Sequence, residues 1–195
     1  LISGACSNKE RAMSISKWMS WEGGVDLVAV TKPGLSMPNV IVHVARMVHT
    51  PVGSAPAGMV LWQPDAGALP VVMGFLSTDS KVAAYFGPNI FAGTPFEQAP
   101  SLTGTIQIRS GAGTCGAKVT VGGHVLETSL SELGTSELIH RAPAAMPPFW
   151  QQGVEAAAKK ATLSVDGKPV SIIVPPVGIS GGPAATWSPC GVYAR

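Results

Sequence analysis

Charge is what this 195-residue chain has least of. Lys and Arg number 13 and Asp and Glu 11, so 12% of residues are charged and the formal net charge is +2, against ~25% charged residues in ordinary soluble domains. So small a positive excess excludes a dedicated nucleic-acid clamp, which carries a basic stripe. Long apolar runs are missing too. None reaches the ~18 residues of a membrane-spanning helix, and residues 1–11 lack the apolar stretch of a secretory signal. Three cysteines, Cys6, Cys115 and Cys190, are too few and too scattered for a disulfide scaffold or a zinc site. Their odd number favours reduced thiols and an intracellular origin. No three-residue glycine period marks a collagen, and no charged heptads mark a coiled coil. The histidines His43, His49, His124 and His140 show neither H-x-x-x-H nor H-E-x-x-H spacing. No metal, cofactor or membrane contact is expected. The opening leucine is expected of release from a precursor or of a trimmed chain.

Glycine and proline are abundant, 23 and 17 residues, and hydrophobics make up 46%. A chain of this length folds as one domain and can bury about 70% of its unfolded surface. Period-two alternation predicts strands over 25–31, 39–50, 58–62, 71–76, 81–86, 102–109 and 117–126. In 39–50 both faces are apolar: Val40, Val42 and Val44 against Ile41, His43, Ala45 and Met47. That strand should be covered on two sides. Gly122-Gly123 inside 117–126 predicts a bulge or bend. Helical signals are thin: a capping-box spacing of Ser129 and Glu132 before Gly134, and helix formers over 151–161 with a Glu155–Lys159 pair. Asp166-Gly167 predicts a hairpin across 161–174. The expected fold is one all-β sandwich or barrel. An arm over 1–17 precedes a core over 18–128. A C-terminal extension over 129–195, with the short helix and hairpin, packs on the same domain.

Motifs that carry chemistry mostly dissolve on inspection. Gly111-Ala112-Gly113-Thr114-Cys115-Gly116 matches G-x-G-x-x-G, yet the strand-like Ala117-Lys118-Val119-Thr120-Val121 follows where a pyrophosphate site needs a helix N-terminus. A glycine-rich turn between strands explains it. Gly178-Ile179-Ser180-Gly181-Gly182-Pro183 resembles the nucleophile segment of chymotrypsin-like proteases, with Ile179 in place of the usual aspartate and no histidine in an A-A-H-C context. Asp65, Asp79 and Asp166 sit where turns want them, whereas Asp26, between Val25 and Leu27, has no such reason to be there. Trp18 and Trp21 form either a sugar-stacking platform or part of a core or interface.

The middle of the chain, about 25–127, resembles the jelly-roll coat proteins of picorna-like plant viruses, the secovirids (comoviruses, cheraviruses and relatives). The likeness lies in the strand at 58–62 running into Pro64-Asp65-Ala66-Gly67, and in Gly87-Pro88-Asn89 after a β run. It continues in a loop leading to the alternating strand 102–109, the polar hairpin 110–116 and a final strand 117–126. This resemblance implies a single jelly-roll β-sandwich of about eight antiparallel strands, wedge-shaped, as a subunit of an icosahedral, pseudo-T=3 shell around single-stranded RNA. Its partners would be sister coat-protein subunits and the viral RNA, its place the virion and the host cytoplasm during assembly, and its role structural rather than catalytic. Low charge agrees with it independently, because interfaces are depleted in Lys, Asp and Glu. Lys9, Arg11, Trp18 and Trp21 are the candidate subunit or RNA contacts. The alternatives are a secreted or surface β-sandwich binding carbohydrate through Trp18, Trp21 or Trp62, and a serine hydrolase using Ser180.

Overall fold

Short hairpins set the architecture. The computed structural model describes residues 17–144 and 147–195; the expected arm, with Lys9 and Arg11, lies outside the described residues except for Lys17. Eleven strands follow one another: β1 (Trp18–Ala29), β2 (Val40–Thr50), β3 (Gly53–Trp62), β4 (Val72–Ser77), β5 (Ser101–Gly111), β6 (Thr114–Val121), β7 (His124–Leu133), β8 (Glu137–Arg141), β9 (Trp150–Val165), β10 (Lys168–Val170) and β11 (Ala185–Ala194). Between β4 and β5 lie the single helix α1 (Ser80–Tyr85) and a π-helical turn (Phe86–Ile90).

Neighbours follow chain order from β1 to β7, and β9 closes the circuit. Its first half pairs with β11 and its second half with β7, while β11 pairs with β1. Every contact in this ring is antiparallel except β4 with β5. The all-β expectation is met. Among the described residues the strands number eleven rather than about eight, and a sequence-ordered ring differs from the interleaved order of Greek keys. The reason is local only in part: two-residue turns join β2 to β3, β5 to β6 and β6 to β7, while longer connections join β1 to β2, β3 to β4 and β4 to β5.

Two apolar cores result. The ring encloses the first, with Val25, Leu27, Val40, Val42, Val44, Val119, Leu126, Leu130 and Leu163. The second lies on the outer face of β1–β4, where Ile41, Ala45, Met59 and Phe75 meet Val82, Phe86, Ile90 and Phe91 from α1 and the segment after it. Strand β2 is thus covered on both sides, as its alternation requires.

Several local expectations are corrected. Residues 81–86 are helical rather than extended, because Asp79 caps the turn, accepting from Lys81 N at 2.8 Å. The helix former run 151–161 is strand β9, and 129–134 belongs to the end of β7 and its exit. A central strand with partners on both edges outweighs weak helix propensity. Gly122 and Gly123, with φ of 59° and 83°, make the two-residue turn of a β6–β7 hairpin rather than a bulge inside one strand. The expected Asp166-Gly167 turn is present between β9 and β10, both residues at positive φ. The segment read as an extension therefore contributes β9 and β11 to the ring itself.

Candidate functional site

Polar side chains seldom sit in the outer core of a sheet without a task, and here seven converge. Asp26 (β1), His43 (β2), Gln151 and Glu155 (β9), Arg141 (β8), Tyr193 (β11) and Ser180 from the loop before β11 meet on the flank of the second core. Asp26, Gln151, Glu155, Ser180 and Tyr193 are buried. Pairing of β8 with β9 sets Arg141 opposite Gln151. Its guanidinium donates to both Glu155 oxygens, at 2.8 and 2.7 Å, and to Gln151 Oε1 at 3.0 Å. Gln151 also donates to Glu155 at 2.9 Å. A two-pronged pair of this kind is the strongest form of ion pair.

The glycine-rich motif is the seat of this pair. At Gly182 a Cβ would come within 2.7 Å of Arg141 Nη2 and 2.8 Å of Glu155 Oε2, so a side chain there would lift the loop off the ions. Ser180 Oγ donates to Asp26 Oδ2 at 3.3 Å, which supplies the partner that Asp26 lacks in the sequence. The other oxygen, Oδ1, lies 3.2 Å from His43 Nδ1. Those two atoms are not aligned for a directed hydrogen bond and have no other hydrogen-bond partner, so their attraction is chiefly Coulombic.

Serine, histidine and aspartate are thus brought together in the wrong order for acyl transfer. A nucleophilic serine needs the imidazole between itself and the carboxylate; here the carboxylate stands in the middle. The adjoining cavity, lined by Met19, Trp21, Phe86 and Phe91 as well as by the polar groups, has about 40 Å³, far below the ~300 Å³ of small-molecule sites. What this geometry can do is fasten the 178–183 loop to the sheet and hold two carboxylates against two cationic groups.

Protonation tunes that fastening. Burial pulls the His43 pKa down, but the Asp26 charge and contact and the Glu155 charge outweigh it and hold the imidazole above its ordinary 6.5. A pKa raised by folding means stability that is fully present below about pH 6.5 and lost as pH rises through the higher folded value. Urea unfolding midpoints should therefore fall as pH climbs above about 6.5, and His43→Gln should flatten that part of the profile. An unchanged slope in the variant would assign the effect elsewhere. Burial, together with the Asp26 and Glu155 charges, raises the Tyr193 phenol well above 10, so it stays neutral. Burial pushes Cys115 up to about 12 and leaves its thiol inert.

The tryptophans divide. Trp21 is buried, donates to Ser188 Oγ at 2.9 Å and packs on Tyr193; Trp62 closes the inner core. Neither offers a face to a sugar or a partner. Trp18 is half-buried, its backbone N–H donating to the Tyr85 hydroxyl. Trp150, 46% exposed and tilted over His140, is the exposed aromatic that sequence reasoning did not single out. A groove of about 720 Å³ crosses β5, β6, β7 and β9, bordered by Arg109, Ser129, Thr162 and the Lys118–Glu127 pair; a binding-module reading would use it. Gly111 to Gly116 forms the β5–β6 turn and the start of β6, as the absence of a following helix requires. Among the described residues no cluster of three or more His, Cys, Asp or Glu side chains could hold a metal ion, and no helix is long and apolar enough to cross a membrane.

Beyond the polar cluster the sheet carries a face of mixed apolar and polar side chains. Register fixes its rows: Trp18, Ala194 and Trp150 in one, Ser20, Val192, Gln152 and His140 in the next, Glu22, Cys190, Val154 and Leu138 in the third. Leu138 is 89% exposed. No family model matches the chain, and no curated protein is significantly similar to it.

Proposed function

We propose that this chain is a structural subunit of a protein shell, the coat-protein role that its secovirid resemblance implies, with sister subunits as its main partners and single-stranded RNA inside. The observation that carries this reading is a set of large apolar side chains left exposed among the described residues. Leu69, Leu138, Val177, Met37 and Trp150 stand substantially exposed on a chain with only 12% charged residues. A free monomer pays for such a surface in solubility, whereas contacts of ~2,000 Å² or more in an assembly would cover it. A jelly-roll-like coat subunit is the finer form of the proposal, and the return of the last strand beside the first is the feature of this eleven-stranded arrangement closest to a Greek key.

Sedimentation and negative-stain microscopy of the full chain test the reading. Closed particles or large oligomers at micromolar concentration in near-neutral buffer are the expected result, with absorbance at 260 nm reporting any RNA. A well-behaved monomer under those conditions would overturn it.

A further inference from the structure

Every strand of the ring has two neighbours, but β8 does not. It prolongs β7 along β9, and β6 is too short to follow it. Among the described residues its backbone pairs with β9 alone. An open edge of five residues is a template for another strand, and this one carries no proline and no lysine to discourage pairing.

We propose that the free edge of β8 pairs antiparallel with β8 of a second copy of this chain, about a two-fold axis at Ile139. The sequence of the strand is self-complementary in that register. Glu137 comes opposite the partner's Arg141, and Leu138 comes opposite the partner's His140. Three of the five N–H donors of Arg141 serve Glu155 and Gln151, which leaves donors for the partner's Glu137. On the other face, Leu138 meets the His140–Trp150 aromatic pair, an aliphatic-on-aromatic cross-strand contact. Such an interface is isologous, so it closes as a dimer and satisfies both edges at once. It also brings the Trp150 and Leu138 side chains of the two copies to one side of the joined sheet.

This contact rests on the shell-subunit reading and specifies one of its interfaces. Two variants of the full chain test it. Leu138→Lys changes a side chain that supports nothing in the fold, so its thermal melt should match the parent chain, while association through β8 should weaken at least tenfold by sedimentation. In a Cys6→Ser, Cys190→Ser background, Leu138→Cys with His140→Cys should form an interchain disulfide on oxidation, because the register sets those positions opposite each other. Undiminished association of Leu138→Lys together with no crosslink would overturn the β8 contact and leave the shell reading intact. A monomeric parent chain would overturn both.

Discussion

Glu155→Ala should lower unfolding stability by about 3–5 kcal/mol, the cost of stranding a buried ionic partner. Glu155 is 8% exposed at its side chain and takes both prongs of Arg141. Its removal leaves the guanidinium beneath Gly182 with Gln151 alone. It also removes one of two carboxylates that hold His43 above its ordinary pKa. The pH slope described above should therefore shrink along with the midpoint. Exchanging both ions for apolar residues, Arg141→Met with Glu155→Leu, should cost much less than the single change, because no unpaired charge remains. Chemical denaturation of the two variants beside the parent chain measures this. A loss under about 1 kcal/mol for Glu155→Ala would mean that water reaches the pair and that the 178–183 loop is held by something else.

Phe75→Ala should cost a similar amount, about 3–5 kcal/mol, by a different route. Phe75 is 1% exposed and stands at the centre of the aromatic group that binds α1 and its π-helical turn to the sheet. Its ring stacks on Phe86 at 5.4 Å and lies 5.1 Å from Phe91, which in turn meets Phe96 and Phe149. The cavity left behind would be lined by residues on separate segments, none able to fill it without moving the others. The expected signature is early loss of the outer layer: near-UV aromatic signal should melt ahead of the far-UV strand signal. Coincident transitions would show that the two cores unfold as one unit, with the stability loss as the sole consequence.

Part of this architecture is legible without coordinates. The alternation in 39–50 is that of a strand with two apolar faces, and both faces are in fact buried, one in each core. Alternation in 102–109 likewise matches β5, and Asp166-Gly167 matches its hairpin. These signals are local: a turn dipeptide or a period of two depends only on residues that lie next to each other. Asp26 was conspicuous for the same reason, a charge set between Val25 and Leu27.

Its partners were not legible. Ser180 lies 154 positions away from Asp26, and Glu155 has Lys159 as its helical partner only while 151–161 is imagined as a helix. Once β9 forms, a residue four positions on is some 13 Å away along the strand, and Arg141 from the neighbouring strand takes the place. The G-I-S-G-G-P motif shows the same limit. Its composition is equally that of a catalytic elbow or of a tight turn, and the distinction lies in which atom of Asp26 faces which neighbour.

Composition and periodicity by themselves determined that the chain is β-rich, sparsely charged and folded around apolar strands, because burial of alternate side chains needs no knowledge of the partner. Closure of the ring through β9, assembly of the ionic cluster under Gly182 and exposure of the β8 edge were decided by tertiary structure alone. Each depends on contacts between residues far apart in sequence, and no local rule fixes those until the strands have chosen their neighbours.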